Sequence, residues 1–254
     1  MTAPIFYLDP AIIAQCAVGD ILEVTGDEGH HAKNVKRLQP GEDIHLADGR
    51  GQRVCGKVYQ LSGDGLSVLV ESTHSEQCTP EIYLVQALAK NDRDLLGIEL
   101  ATELGAVGVV PWSAHRSIVQ WKGSRADKAH AKWEKTVVAA AKQARRALIP
   151  TVYDLHSTKQ LTGFIEEVTH QGAEVFVLDE REGFRLSEHI RQLDTERLGE
   201  LYIVVGPEGG ISEDEVSQLI AAGAKTGVLG PEILRASTAG AAAISQVNTL
   251  LGRW

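Results

Sequence analysis

Two glycine-containing loops near the C-terminal end carry the residues best suited to binding a ligand. The first reads GPEGG at residues 206–210 and lies between the apolar run LYIVV and a helix that we expect to begin at Ser212. Ser212 and Glu215 have the spacing of a capping box. Glycines between a buried strand and a helix N-terminus let the backbone approach a ligand closely. The loop is therefore a candidate binding site, although a tight turn before a well-capped helix has the same signature.

The charges near the first loop argue against a phosphate ligand. The loop has neither the GxxxxGK[ST] nor the GxGxxG spacing of nucleotide-binding motifs. Acidic residues crowd the same helix end, at Glu208, Glu213, Asp214 and Glu215. A neutral or cationic ligand suits such a site better, and S-adenosylmethionine carries a sulfonium.

The second loop, LGPEILRASTAG at residues 229–240, again lies between an apolar run and a helix, which Ser237 or Thr238 is expected to cap. Loops at the carboxyl ends of adjacent parallel strands converge, so we expect both loops to shape one pocket. Arg235 is a single cation between Leu234 and Ala236. It is either a group that acts on the substrate or a structural clamp on a helix C-terminus.

The N-terminal part of the chain has the pattern of a small β-barrel. Apolar or alternating runs of strand length occur at residues 21–24, 43–47, 53–59 and 66–70, with glycines between them. Residues 27–38 read as one short helix. We predict a first domain over residues 1–74, built as a barrel with one helix.

From residue 80 onward, strands and helices alternate. Strand-like runs are predicted at residues 82–88, 107–112, 174–179, 201–205 and 226–230. Helices are predicted at residues 92–104, 128–148 and 159–169, and after each of the last two strands. This alternation predicts a three-layer α/β domain over residues 80–254.

Composition excludes several classes of protein. The chain has 254 residues, 43% of them hydrophobic, which is enough for two modest domains. No apolar run approaches the roughly 20 residues of a membrane span. The start, MTAPIFYLDP, lacks the layout of a secretory signal, so we expect a cytoplasmic protein. Cys16, Cys55 and Cys78 are far apart, which predicts neither a metal site nor a disulfide.

Charge is distributed unevenly along the chain. The formal net charge is −9, yet residues 115–148 hold nine Lys or Arg and only two acidic residues. A basic segment on an acidic chain is a polarised surface and suggests a nucleic-acid partner. A solvated helix face with ordinary lysines has the same composition.

The two loops together resemble the C-terminal signature of SPOUT methyltransferases, and the whole chain resembles the 16S ribosomal RNA (uracil-N3) methyltransferase family. GPEGG matches in full, and LGPEILRASTA resembles LGxRILRxETA with Ser237 in place of Glu. Near the N-terminus, GHHAKNVKRLQPGE resembles HxxxVLRxxxG. The matching positions there are His31, Val35, Arg37 and Gly41.

Two further motifs lie in the middle of the chain. Residues 89–112 resemble KGxRxxxxIQKxTELGVxxIxP, with Asn91 in place of Gly and Glu99–Leu100 in place of Gln-Lys. The matching positions are Lys90, Arg93, Thr102, Glu103, Leu104, Gly105 and Pro111, and Arg116 fits the arginine that follows. KQARRALIP resembles EQxxRxxxP at Gln143, Arg146 and Pro150, with Lys142 in place of Glu.

The resemblance implies a C-terminal SPOUT-type α/β domain with a deep trefoil knot, preceded by a PUA-like β-barrel that binds RNA. It implies S-adenosylmethionine as cofactor, 16S ribosomal RNA of the small subunit as partner, and a homodimer that buries the last helix. The implied cofactor-binding residues are Leu178, Gly206, Glu208, Gly209, Gly210, Ile211, Leu229, Gly230, Ile233, Leu234 and Thr238. The implied RNA-binding residues are His31, Arg37, Lys90, Arg93, Arg116, Gln143 and Arg146.

The implied reaction is methyl transfer to N3 of one uridine. N3 must lose its proton, and we assign Arg235 the catalytic role of stabilising the charge that develops on the flanking carbonyl oxygens. The residues offer no unique general base. Three alternatives stay open: a methyltransferase acting on another RNA, a non-enzymatic RNA-binding protein, and a nucleotide-dependent enzyme. The last predicts a glycine fingerprint after an early strand, which this chain lacks.

Overall fold

The computed structural model of the chain describes residues 3–181, 184–195 and 197–254. These residues form two compact units. The first combines the N-terminal residues through Gln77 with residues 141–149, and the second contains residues 78–140 and 150–254. The sequence predicted an uninterrupted second domain over residues 80–254, so the structure reassigns the segment 141–149 to the first unit.

The first unit is built on a five-stranded sheet. Its strands are β1 (Ile5–Tyr7), β2 (Ile21–Val24), β3 (Asp43–Ala47), β4 (Gln52–Leu61) and β5 (Leu66–Ser75). They pair in the order β1-β3-β4-β5-β2, with β1 and β3 parallel and the other neighbours antiparallel. Apolar side chains from all five strands meet helix α1 (Pro10–Gln15) in one core. Strand β1 and helix α1 were not predicted.

The helix predicted over residues 27–38 is shorter and changes type. Helix α2 (Gly26–His30) continues into a π-helical turn, His31–Val35, where the backbone N–H of Lys36 donates to the His31 carbonyl at 2.8 Å. The segment stops at Arg37, whose φ of 56° is left-handed and cannot continue a helix.

Residues 141–149 leave the predicted second domain because they are bonded to the strands of the first unit. The guanidinium of Arg53 donates to the carbonyl of Arg145 at 2.6 Å and forms an ion pair with Glu76. The other carboxylate oxygen of Glu76 accepts from the N–H of Ala147 at 2.9 Å. These bonds pair backbone groups that would otherwise be left without partners on folding.

The second unit contains a parallel sheet of seven strands. They are β6 (Glu81–Ala87), β7 (Gly108–Ser113), β8 (Thr151–Val152), β9 (His156–Ser157), β10 (Glu174–Leu178), β11 (Glu200–Val205) and β12 (Lys225–Gly227). Their order is β12-β10-β11-β6-β7-β8, with β9 also on β7. Strands β6, β7, β10 and β11 were predicted from their apolar character, and β12 shares two residues with the predicted strand at residues 226–230. The two-residue strands β8 and β9 were not predicted.

Helices cover this sheet in two groups, which confirms the predicted three-layer α/β fold. The helices in these groups are α3 (Arg93–Glu103), α5 (Thr158–His170), α6 (Leu186–Arg191), α7 (Glu213–Ala221) and α8 (Ala236–Leu250). A further helix, α4 (Ser124–Gln143), ends in residues that belong to the first unit. Helix α8 packs against α3, α6, β6 and β11, while α5 and α7 contact each other. The short helix α6 was not predicted.

Helix α4 ends at Gln143, before the predicted end at Leu148. The N–H of Arg146 donates to the carbonyl of Ala141 at 2.9 Å, and Arg145 has a φ of 57°. This is a helix end closed by a left-handed residue, a position that usually holds glycine. Because an arginine stands there, the sequence carried no stop signal.

Helix α8 begins at Ala236 and not near Ala239, so the predicted cap is wrong. Ser237 and Thr238 lie inside the first turn, and Arg235 occupies the capping position without a side-chain cap bond. The small residues of α8 pack closely within the chain. A Cβ on Gly240 would lie 2.8 Å from Cδ1 of Leu84, so only glycine allows α8 to approach β6 this closely.

Candidate active site

A cavity of about 710 Å³ opens at the carboxyl ends of β10, β11 and β12. Three loops line it: residues 179–181, residues 206–211 and residues 228–235. Strand β10 lies between β11 and β12, so the two loops singled out from the sequence do not follow adjacent strands as we expected. They still meet in one cavity, because the carboxyl ends of parallel strands share one edge of the sheet.

Nearly all residues predicted to bind a cofactor line this cavity. They are Leu178, Gly206, Glu208, Gly209, Gly210, Ile211, Leu229, Gly230, Ile233 and Leu234. Arg235, predicted to be catalytic, lines it as well. Thr238 is not among the lining residues that the structure describes. Its hydroxyl donates to the Arg235 carbonyl at 3.2 Å, because the early start of α8 places Thr238 on the first helical turn.

Close packing and a helix cap hold the first loop, residues 206–210, in shape. A Cβ on Gly206 would lie 2.5 Å from Cγ1 of Ile211, so the loop can fold this tightly only with glycine. The Ser212 hydroxyl accepts from the N–H of Glu215 at 3.3 Å, and the Glu215 carboxylate accepts from the N–H of Ser212 at 3.1 Å. The predicted capping box is thus confirmed, and it starts α7.

Glu208 connects the first loop to residues predicted to bind RNA. Its Oε1 accepts from the backbone N–H of Lys90 at 2.9 Å and lies 3.7 Å from Nη1 of Arg93. Between these two, Asn91 and Asp92 both have a φ of 55°. Asn and Asp tolerate this left-handed conformation better than most residues with a side chain. Asn91 therefore keeps the turn that the related motif builds with glycine.

Arg116 packs on the first loop from another direction. Its Nη1 donates to the carbonyl of Gly209 at 2.9 Å, and a Cβ on Gly209 would lie 3.2 Å from Cβ of Arg116. A side chain at residue 209 would therefore press on Arg116, a reason for glycine that the motif alone did not reveal. Three of the predicted RNA-binding residues, Lys90, Arg93 and Arg116, thus gather around one loop.

The second loop has far fewer contacts. In the part of the chain that the structure describes, residues 229–234 form no backbone–backbone hydrogen bond. Ile233 and Leu234 are 76% and 41% exposed. The Arg235 guanidinium has no hydrogen-bond or ion-pair partner among the described residues. It lies at the N-terminus of α8, where the helix dipole disfavours a cation, so it does not clamp a helix C-terminus.

Acidic side chains around the cavity have cationic neighbours. Asp179 accepts from Arg181 at 2.7 Å and 3.0 Å, and Arg181 also lies 3.7 Å from Glu213. Burial raises the pKa of Asp179, but the hydrogen bonds from Arg181 outweigh it and hold the pKa below its ordinary value. Glu208 is likewise paired with Arg93. Because these carboxylates have cationic partners, their charge disfavours a phosphate ligand less than the sequence suggested.

Asp179 and Arg181 line the cavity, although no motif in the sequence marked them. The available signal was their position directly after β10, whose carboxyl end lies between those of β11 and β12. Strand order is not readable from the sequence, so this third loop was missed.

A family profile described as an RNA methyltransferase domain matches residues 76–248. A second profile, described as an RNA methyltransferase PUA domain, matches residues 24–71. The first match covers more than half of the chain. This chain belongs to the RNA methyltransferase family. Membership confirms the class of activity, and the PUA match falls on the five-stranded first unit.

Two relatives and one solved structure show how far the similarity extends. The chain is 41% identical over 255 residues to ribosomal RNA small subunit methyltransferase E of Mycobacterium bovis, covering 100% of this chain and 94% of the relative. It is 32% identical to the Bacillus subtilis protein of the same name, covering 89% and 88%. The structure of ribosomal RNA small subunit methyltransferase E from Neisseria gonorrhoeae bound to S-adenosyl methionine superposes with a TM-score of 0.82 at 26% identity, covering 98% of each chain.

These similarities confirm the resemblance that the motifs predicted. They also agree with a SPOUT-type α/β fold, and the knot itself stays an implication of the resemblance. The roles assigned to individual site residues stay predictions, because similarity over whole chains assigns no role to a single residue.

The other residues predicted to bind RNA lie in the first unit. Arg37 and Gln143 are exposed, and His31 and Arg146 are half-buried. Burial, and next the charge of Lys142, lower the pKa of His31 and so disfavour the charged imidazole. His31 is therefore a weaker partner for a phosphate than the arginines are.

Lys142 stands where the related motif has Glu, and the first unit accommodates the reversed charge. Its Nζ lies 2.6 Å from Oε2 of Glu28 and 5.0 Å from the ring centroid of Phe6. The ammonium is thus paired with a carboxylate and placed over an aromatic face.

The described residues contain neither a membrane-spanning helix nor a cluster of metal ligands. No helix there combines the length and apolar character needed to cross a bilayer. Nor do three or more His, Cys, Asp or Glu side chains in that part of the chain cluster as metal ligands. Cys16, Cys55 and Cys78 are free thiols.

Proposed function

We propose that the protein transfers a methyl group from S-adenosylmethionine to N3 of a specific uridine in 16S ribosomal RNA of the small subunit. The observation that carries this proposal is the cavity at the carboxyl ends of β10, β11 and β12, where both loops and Arg235 come together. The names of the relatives support it: the M. bovis protein is a ribosomal RNA small subunit methyltransferase, and the N. gonorrhoeae structure holds S-adenosyl methionine.

The residues around the cavity fit this donor, which combines a flat base, a sulfonium and an amino-acid group. Ile233 and Leu234 expose apolar surface. Next to them, the backbone N–H and C=O groups of residues 229–234 bond to no other described backbone group. A purine ring needs both apolar contact and a few fixed polar partners. Carboxylates that line the cavity, such as Glu232, suit a cation. When bound, S-adenosylmethionine supplies an electrophilic methyl group.

Arg235 is our candidate for stabilising the reacting base. As N3 of uracil gives up its proton, negative charge develops on the two flanking carbonyl oxygens. The guanidinium lines the cavity and has no other partner among the described residues. A donor that is already in place interacts more strongly with developing charge than with the neutral base, which lowers the barrier.

The target uridine must be unpaired or flipped out of a helix, because N3 lies on the Watson–Crick edge. Lys90, Arg93 and Arg116 surround the first loop and are proposed to hold the RNA next to the donor. Arg37, Gln143 and Arg146 of the first unit are proposed to contact the RNA backbone. Contacts of this kind position the substrate without reading its sequence.

We also propose a homodimer that works in the cytoplasm. The resemblance implies that the last helix and neighbouring loops meet a second copy. The small residues of α8 are partly used within the chain, since Gly240 packs on Leu84, so the second copy must contact other surfaces. Light scattering at micromolar concentration measures the mass. Twice the chain mass of 27.4 kDa supports the dimer, and 27.4 kDa overturns it.

Calorimetry separates the proposed enzyme from its rivals. We expect binding of S-adenosylmethionine and none of NAD or ATP. A non-enzymatic RNA-binding protein would bind none of the three, and a nucleotide-dependent enzyme would prefer NAD or ATP.

The substrate is tested by methyl transfer to RNA from a strain that lacks the gene. Small subunits, free 16S RNA and large-subunit RNA are offered separately with labelled S-adenosylmethionine, and the modified nucleotide is mapped. We expect label at N3 of one uridine in 16S RNA. Label in another RNA, or at another atom, would overturn the assigned substrate while leaving the class of reaction intact.

A further inference from the structure

A buried carboxylate joins three segments next to the cavity. Glu215 is only 3% exposed. Its Oε1 accepts from the backbone N–H of His115 and from the hydroxyl of Thr158, both at 2.7 Å. Its Oε2 accepts from the hydroxyl of Ser212 at 2.7 Å and from the N–H of Ser212 at 3.1 Å. Four donors and the N-terminus of α7 therefore stabilise one negative charge.

Helix capping does not account for this arrangement. A capping box needs only the reciprocal bonds between Ser212 and Glu215. Helix α5 has the same kind of box in Ser157 and Gln160, where the side chain is an exposed amide and not a buried carboxylate. The bonds from Glu215 to His115 and Thr158 thus go beyond what the start of α7 requires.

The bond to His115 places the neighbouring residue, Arg116. Residues 114–117 form a turn in which the N–H of Ser117 donates to the carbonyl of Ala114 at 2.9 Å. From this turn, Arg116 reaches the carbonyl of Gly209 at 2.9 Å. One carboxylate therefore binds segments on both sides of that contact: the turn that carries Arg116, and Ser212, two residues after the first loop.

We propose that Glu215 is a positioning residue that holds Arg116 against the first loop in the geometry required for methyl transfer. Glu215 does not line the cavity and acts through the backbone of His115. The inference rests on the proposed function, in which Arg116 contacts RNA beside the donor.

Glu215→Gln separates the roles of the carboxylate. Glutamine keeps the shape but has one acceptor oxygen and one NH₂ donor. The hydroxyls of Thr158 and Ser212 can turn to accept a bond, whereas the backbone N–H groups of His115 and Ser212 cannot. One of these two N–H groups therefore loses its acceptor. Asp214→Asn is the matched control, since it removes an exposed negative charge from the same helical turn.

We expect Glu215→Gln to lower the single-turnover rate of methyl transfer by roughly tenfold to a hundredfold, the size of loss that a small misplacement causes. Donor affinity by calorimetry should stay close to that of the wild type. Hydrogen–deuterium exchange should speed up at residues 115–117. Asp214→Asn should change none of these quantities.

A double-mutant cycle tests whether Glu215 acts through Arg116. In an Arg116→Ala background, Glu215→Gln should cause little further loss of rate. If the two substitutions lower the rate by independent factors that multiply in the double mutant, the proposal is wrong. It is also wrong if Glu215→Gln leaves hydrogen–deuterium exchange at residues 115–117 unchanged, or if it lowers donor affinity as much as the rate. If Glu215→Gln does not fold, Thr158→Val removes one donor to Oε1, with Thr158→Ser as the rescue, and the same criteria apply.

Failure of the proposed function gives a different result. If the wild-type protein methylates no RNA, the proposed function is wrong. The role of Glu215 is then still decided by hydrogen–deuterium exchange at residues 115–117 and by the Glu215→Gln and Arg116→Ala double-mutant cycle, with RNA affinity measured in place of the rate.

Discussion

The two loops that line the cavity are built in opposite ways. The first, residues 206–210, is folded tightly over Ile211, bonded through Glu208 to Lys90 and Arg93, and held by Arg116. The second, residues 229–235, has exposed apolar side chains and an arginine without a described partner. The first loop is completed by the protein, whereas the second leaves its polar groups available to a ligand.

Because of this difference, we expect the two loops to serve different functions in the reaction. Groups that are bonded within the protein are used up by their partners, and they set where a substrate is held. A donor that lies in the cavity without a protein partner keeps its hydrogen-bonding capacity for charge that develops during the reaction. Substitutions in the first loop should therefore affect stability and positioning, and those in the second should affect the rate.

The largest effect is expected for Arg235→Ala. Loss of one preorganised donor to a developing anion costs roughly 2.7–4 kcal/mol, about 10²–10³ in rate. Donor affinity should change little, and Arg235→Lys should restore only part of the rate, because an ammonium lacks the planar fork of donors. Single-turnover rates and calorimetry on the same variants measure both quantities. Parallel loss of rate and donor affinity would show that the second loop is also a structural element.

A matched pair of glycine substitutions compares the loops directly. Gly206→Ala places a Cβ 2.5 Å from Ile211 and should lower the free energy of unfolding by about 1–3 kcal/mol. In Gly230→Ala the nearest atom is 3.7 Å away, so the change should stay within about 0.5 kcal/mol. Urea denaturation measures both. Equal losses would contradict the contrast between a packed and an open loop.

The cap behind the first loop should make stability depend on pH. Burial raises the pKa of Glu215, but the bonds from His115, Ser212 and Thr158 outweigh it, so the folded pKa lies below the ordinary 4.5. The carboxylate therefore contributes stability above pH 4.5 that is lost as pH falls through the folded pKa. Below pH 4.5, the unfolding free energy should fall more steeply for the wild type than for Glu215→Gln. Asp214→Asn should follow the wild type, and identical slopes for all three would refute the assignment.

The smallest effect is expected on the salt dependence of RNA affinity, when Arg116 is removed from its contact with the first loop. Arg116 uses one N–H on Gly209 and keeps other donors for a phosphate. Arg116→Ala should lower the slope of log affinity for RNA against log salt by about one. Lys57→Ala, which removes an exposed lysine paired with Asp43, is the control and should leave the slope unchanged. An unchanged slope for Arg116→Ala would return the basic stretch to the interpretation of a solvated face.

Local signals in the sequence predicted much of the second unit. Buried parallel strands are continuous apolar runs, so β6, β7, β10 and β11 were recognisable. Strand β12 has no such run, and the predicted strand at residues 226–230 shares only two residues with it. The start of α7 was also predicted correctly, because a capping box involves residues only three positions apart. Turns built by unusual residues were not recognised. Arg145 ends α4 in a conformation typical of glycine, so the predicted helix was too long.

By itself, the sequence determined the family, the α/β alternation, the capping box and the two loops that meet in the cavity, since each is encoded by residues close together in the chain. Tertiary structure alone decided that β10 lies between β11 and β12, and that residues 141–149 belong to the first unit. It also decided that Gly209 makes room for Arg116 and that Glu215 accepts from His115, 100 residues away. Contacts at such separations depend on strand order and on which buried polar groups need partners, and neither leaves a periodic signal in the sequence.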